Sequence, residues 1–124
     1  MKVCIPSQFP GGPDSVASAS FEDTEFFDFY EIRSDGSFEH LAQSRPCACS
    51  GPNLVEVVAW RGINAIIVGG ISPSALLLFR SAGVRVLKVN NPAVAVLLDS
   101  YSAGKLEEIG IDQFAKVGKV KVRG

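Results

Sequence analysis

The sequence predicts an α/β domain built on a mixed five-stranded sheet with helices covering its faces, and three patterns predict it. In the second half, three segments each open on a cap residue and a proline, then run through apolar residues to a glycine. They are Gly51-Pro52 to Gly62, Ser72-Pro73 to Gly83 and Asn91-Pro92 to Gly104. Between them lie two short apolar runs rich in β-branched residues, Ala65 to Val68 and Val84 to Val89. The first half instead alternates apolar and polar residues around a turn signal, the mark of antiparallel strands.

Taken in order, Lys2 to Ile5 reads as a short buried strand. Phe26 to Arg33 alternates Phe27 and Phe29 with Asp28 and Tyr30, which predicts a second strand. Ser34-Asp35-Gly36-Ser37 is a turn, and Phe38 to Gln43 returns antiparallel as a third strand. The segment after Gly51-Pro52 is predicted helical, although the β-branched Val55, Val57 and Val58 resist that conformation. In all three helical segments proline suits the first turn, where its missing N–H has no partner to lose. The closing glycine takes the left-handed conformation that stops a helix. Val94, Leu97, Leu98 and Tyr101 fall at i, i+3, i+4 and i+7, one helical face. The two short apolar runs suit strands buried on both faces, as in a parallel sheet. Helix, strand, helix, strand, helix in that order implies right-handed crossovers, with the first strand at the sheet's centre.

Composition narrows the function classes. A chain of 124 residues is one domain's length. Apolar residues make up 47% and charged residues 20%, a globular profile. Twelve basic and thirteen acidic side chains leave a net charge of −1, which argues against nucleic acid or an anionic membrane as partner. No secretory signal precedes Val3-Cys4-Ile5-Pro6, and Ala65 to Ile71 and Ala93 to Leu98 fall well short of the ~18 residues of a membrane span. Three cysteines, an odd number, argue against a disulfide framework and for a reducing compartment, so a soluble cytoplasmic protein is expected. The domain is expected to end near residue 108, with residues 109–124 forming a polar tail made basic by Lys116, Lys119, Lys121 and Arg123.

Two long loops, Ser7 to Glu25 and Ser44 to Gly51, hold the candidate chemistry. Cys47-Ala48-Cys49 sets two thiols at i and i+2, able to reach one soft metal or two metals of one cluster. Iron–sulfur, copper(I) and zinc suit thiolates better than magnesium does. Two ligands do not close a site, so a partner, a second subunit or a preformed cofactor must supply the rest. The plain alternative is a pair of incidental loop cysteines. Cys4, between Val3 and Ile5, reads as a small core hydrophobe. His40 is the chain's one histidine and reads as strand surface, or as a third ligand if its face meets the cysteine loop.

Gly69-Gly70-Ile71-Ser72-Pro73 joins a strand to a helix, and helix-start amides approached through glycine make an anion pocket. It lacks the dinucleotide and Walker fingerprints. Gly51-Pro52-Asn53 opens the preceding helix in the same manner, with Ser50 and Gly51 beside the thiols. Both starts should lie near the carboxyl ends of strands, where open α/β sheets bind ligands. No Ser/His/Asp set is present, and the central strand offers no carboxylate for two-metal chemistry, so no enzyme is expected.

With these residues in hand, the chain resembles the dinitrogenase iron–molybdenum cofactor biosynthesis family, the group of the nitrogenase accessory proteins. The likeness covers roughly residues 1 to 108. It rests on Met1-Lys2-Val3-Cys4-Ile5-Pro6, Asp14-Ser15-Val16, and Phe21 followed by Phe26-Phe27-Asp28-Phe29-Tyr30-Glu31. It continues through Gly62-Ile63-Asn64-Ala65-Ile66-Ile67-Val68-Gly69-Gly70-Ile71-Ser72-Pro73-Ser74-Ala75, Ala82-Gly83-Val84-Arg85-Val86 and Gly104-Lys105-Leu106.

The resemblance implies a three-layer ribonuclease H-like fold that binds or carries iron–sulfur or molybdenum-containing clusters without catalysis, with a client metalloprotein as further partner. Family members show His-Phe-Gly-Arg where this chain has Ser20-Phe21-Glu22-Asp23, so the histidine, a candidate cluster ligand, is replaced by Ser20. Glu22, Asp23 and Glu25 also make this loop acidic, which disfavours an anionic cluster. Either ligation has moved to Cys47 and Cys49, or this member handles a cation or another ligand. The candidate metal ligands are thus Cys47 and Cys49. The candidate cofactor-binding residues are Ser20, Phe21, Ser50, Gly51, Gly69, Gly70 and Ser72. Two alternatives stand beside the cluster carrier: a regulatory module binding a small anion at the Gly69-Gly70 turn, and a redox switch closing Cys47 to Cys49.

Overall fold

The computed structural model describes residues 1–8, 11–21, 24–44 and 62–110. The helix expected after Gly51, the candidate residues Cys47, Cys49, Ser50 and Gly51, and the chain beyond Gly110 lie outside the described residues.

Five strands form one mixed sheet: β1 (Lys2–Ser7), β2 (Phe26–Ile32), β3 (Phe38–Ser44), β4 (Ala65–Val68) and β5 (Arg85–Lys88). Their order is β3-β2-β1-β4-β5. The predicted hairpin pairs β2 with β3 antiparallel, and β1 joins it antiparallel to β2. On its other side β1 runs parallel to β4, and β4 parallel to β5. The central place of β1 follows from Val3-Cys4-Ile5, all wholly buried, since only a strand flanked on both edges and both faces needs an unbroken apolar run.

Two helices are described, α1 (Pro73–Ser81) and α2 (Val94–Ser102), one against each face of the sheet. Helix α1 buries Ala75, Leu76 and Phe79 against Cys4, Phe27, Phe29, Ile66 and Val68. Helix α2 buries Val94, Leu97 and Leu98 against Val3, Ile5, Tyr30 and Ile67. Alternate residues of each strand serve opposite faces, as the two-residue period of a strand requires. The result is helix, sheet, helix in three layers.

Helix α1 begins as the sequence predicts. Ser72 caps it, its hydroxyl accepting from Ala75 N at 3.3 Å, and Pro73 fills the first turn. Helix α2 departs from expectation, for it starts at Val94, two residues past Pro92. The carbonyl of Pro92 accepts from Ala17 N (2.8 Å), and Val94 N donates to Ser15 O (3.1 Å). The incoming loop therefore holds this stretch extended, and Ala93 becomes a cap with no side-chain bond. A second feature that the alternation of β2 did not predict is the complete burial of Asp28. The third is Ile109, expected in the polar tail. It is buried in the α1-side core, and residues 107–109 lie along β5 through Lys88 N to Glu107 O and Ile109 N to Val86 O, both 2.8 Å. Ile109 thus packs with the sheet and not with a polar tail.

Candidate functional site

Strand β4 runs straight into Gly69-Gly70, and residues 18–21 cross over this turn at the carboxyl ends of β1 and β4. Ser18 N donates to Pro6 O (2.9 Å) and Phe21 N to Gly70 O (2.8 Å), which fastens the crossing segment at both ends. Glycine is needed beneath it. A Cβ on Gly69 would stand 2.7 Å from Ala19 O and 3.0 Å from Ser18 O, and one on Gly70 would stand 3.2 Å from Ala19 O. These obstacles are backbone atoms that cannot swing aside. The close approach that the sequence assigned to an anion is thus made by the chain's own backbone.

Ser20, Phe21, Gly69, Gly70 and Ser72 are therefore brought together at one end of the sheet. Their roles differ. Ser20 sits half-buried above Gly70. The Phe21 ring lies inside the core, edge-on to Phe79 at 5.2 Å and tilted against Phe27 at 5.5 Å, so it anchors the segment. Ser72 spends its hydroxyl on the cap of α1. Beneath the segment, Ser18 Oγ and Thr24 Oγ1 are 2.7 Å apart, and the Thr24 hydroxyl also reaches Ser7 O and Phe26 O. What remains for a ligand at the amino end of α1 is narrow: Pro73 has no N–H, Ala75 N is held by the Ser72 hydroxyl and Leu76 N by the Ser72 carbonyl, which leaves the Ser74 amide and the positive end of the helix dipole.

Among the described residues, no group of three or more histidine, cysteine, aspartate or glutamate side chains could hold a metal ion. Cys4 keeps its thiol and is fully buried in the α1-side core, as expected of a small hydrophobe. The described part of the site thus supplies the 18–21 wall and the start of α1.

A second polar cluster was missed by the sequence reading. Asp28 Oδ2 accepts from Gly12 N at 2.9 Å, while Oδ1 meets His40 Nε2 at 2.9 Å and Gln43 Nε2 at 3.0 Å. The Gly12 and Gln43 nitrogens donate to the Asp28 carboxyl, and the His40 ring completes the set. His40 lies on the exposed strand β3, as expected of strand surface, and in addition its ring, 33% exposed, stacks on Tyr30 with centroids 4.9 Å apart. A β-bulge makes this possible. Phe29 faces Ala42 while Tyr30 faces His40, which leaves Leu41 as the extra residue. Without it, His40 and Gln43, three apart, would point to opposite faces. The hint in the sequence was an aspartate flanked by phenylalanines. Burial chiefly, then the Asp28 charge and Cys4, pushes ionisation of the Tyr30 hydroxyl well above the ordinary tyrosine range.

A cavity of about 410 Å³ opens elsewhere, between the β2–β3 turn and the end of α2, lined by Ile32, Arg33, Arg85, Leu87 and Tyr101 among others. Both arginines already hold carboxylates, Arg33 to Glu39 at 2.6 Å and Arg85 to Glu108 at 3.0 Å. None of the described sequence-predicted site residues lines it.

A model of the dinitrogenase iron-molybdenum cofactor family matches residues 1–104. An uncharacterized protein of Methanocaldococcus jannaschii is 34% identical over 58 residues, 47% of this chain and 49% of that protein. The match thus spans about half the length of that curated relative. Among solved structures, a proposed NifB protein from Thermotoga superposes with a TM-score of 0.66 at 28% identity, covering 86% of this chain and 91% of that one. The apo form of the orange protein from Desulfovibrio gigas superposes with a TM-score of 0.71 at 18% identity, covering 88% and 92%, a likeness of fold alone. The family match takes in all five strands, both described helices and the crossing segment over Gly69-Gly70, and the chain belongs to the dinitrogenase iron–molybdenum cofactor family.

Proposed function

We propose that this protein is a non-catalytic accessory protein that binds or carries a metal–sulfur cluster, of iron–sulfur or iron–molybdenum type, for a client metalloprotein. Cys47 and Cys49 act as its thiolate ligands, and the amino end of α1 with residues 18–21 forms the adjoining wall. One observation carries this reading: the Phe21 N to Gly70 O bond sets the segment in which family members show histidine beside a helix start. That end of an open α/β sheet is where ligands bind. Ser20 offers a hydroxyl where the family has an imidazole, so soft-metal ligation passes to the thiols, the better donors for such metals.

Anaerobic reconstitution with ferrous iron and sulfide tests the proposal. The wild-type protein is expected to develop thiolate-to-iron absorption and to keep iron and acid-labile sulfide through gel filtration. The double variant Cys47→Ser, Cys49→Ser is expected to keep neither. A wild type that gains no such absorption, or a variant that loads equally, overturns the assignment.

A further inference from the structure

We propose that Asp28, His40 and Gln43 are positioning residues that clasp the loop before residue 18 and thereby set the 18–21 wall of the candidate site. Burying a carboxylate is costly unless hydrogen bonds replace its water. Here the replacements come from two other parts of the fold: His40 and Gln43 on β3, and the Gly12 amide in the loop. An apolar side chain at position 28 would pack the α2 face at less cost, because its neighbours there include Ile5 and Tyr30. Two irregularities serve the same contact. The Leu41 bulge turns His40 and Gln43 to one face. Gly11, at φ +78°, lies so close that a Cβ would collide with the Gln43 amide.

From Gly12 a continuous path leads to the site. Ser15 N donates to Gly12 O, and the Ser15 hydroxyl donates to Gln8 O. Val94 N donates to Ser15 O, Ala17 N to Pro92 O and Ser18 N to Pro6 O, after which Phe21 N reaches Gly70. The clasp thus lies on the α2 side of the sheet and acts on a wall whose anchor, Phe21, lies on the α1 side. Its bearing on cluster loading rests on the function proposed above, but its action on the loop does not.

Amide hydrogen exchange of the metal-free protein, followed by NMR, tests the clasp independently of any cluster. In Asp28→Leu, which keeps the layer apolar, the Gly12 and Phe21 amides are expected to exchange ~10-fold faster or more, the scale of a lost bond to a charged group. The Ile66 and Leu97 amides, deep in the two cores, are expected to hold their rates. Gln43→Leu should act in the same direction with smaller size, and Asp28→Asn, which keeps an acceptor, should fall between wild type and Asp28→Leu. Acceleration at Gly12 with none at Phe21 would show a contact that stops at the loop and overturns the proposal. Equal acceleration at all four amides would show ordinary core packing and overturns it too.

Discussion

At Tyr30 the chain buries a hydroxyl with no hydrogen-bond partner among the described residues, under a ring stacked on His40 and edge-on to Phe38. A buried polar atom left unpaired carries its desolvation cost with nothing returned. Tyr30→Phe is therefore expected to raise stability by ~1 kcal/mol in urea denaturation, and a loss of stability would mean that the hydroxyl is paired in solution. Glu31 behaves differently. The hydrogen bond from the Met1 α-ammonium, 2.7 Å from Oε2, is the main cause that holds its carboxyl below the ordinary glutamate range, with Lys2 and Arg33 adding to it. A depressed carboxyl contributes stability that is present above its ordinary value and lost as pH falls through the lowered one. Acetylation of the α-amine should move the Glu31 midpoint upward in an NMR titration, and an unmoved midpoint would remove the Met1 contact as its cause.

The strand-to-helix turn at Gly69-Gly70 is the element on which the candidate site is built, and its fit is tight. Gly69→Ala should destabilise the fold by ~1–3 kcal/mol, because the new methyl meets the crossing backbone at Ser18 O and Ala19 O. Denaturant midpoints measure this directly, and a neutral result would show that the crossing segment moves aside freely. The start of α1 was readable because its signals, Ser72 and Pro73, are local. The start of α2 was not, since Ser15 and Ala17 arrive from far away in sequence and take the groups that would have opened it. The Leu41 bulge was unreadable for a related reason. Nothing within Phe38 to Ser44 marks it, and its cause is the need of two side chains to meet one buried carboxylate on the next strand.

Over the whole molecule, the central place of β1 and the antiparallel hairpin were legible, because β1 has an unbroken apolar run and a short turn forces its strands antiparallel. The candidate site was half legible. Strand ends and a glycine turn pointed to Gly69 and Gly70, and the family resemblance singled out Ser20 and Phe21, while the crossing of residues 18–21 over that turn had no local signal. The Asp28 cluster joins residues 12, 28, 40 and 43, a set that exists only after folding. The pairing of residues 107–109 with β5 left no mark in the sequence because that run is mostly polar, with Ile109 as its one apolar anchor in the core. A chain cut after Gly104 should lose the Ile109 burial, worth ~1.5–3 kcal/mol, and should melt earlier in calorimetry than the full chain. An unchanged melting temperature would show that residues 105–110 add nothing.

The pairing of residues 107–109 with β5 also closes one rim of the sheet. One rim is sealed by the chain itself, while among the described residues no strand pairs with the outer side of β3. Stacking strand upon strand into a fibre needs two open rims per molecule. A strand arriving at the β5 side would find Val86 O and Lys88 N already taken, so that rim is no template for another molecule.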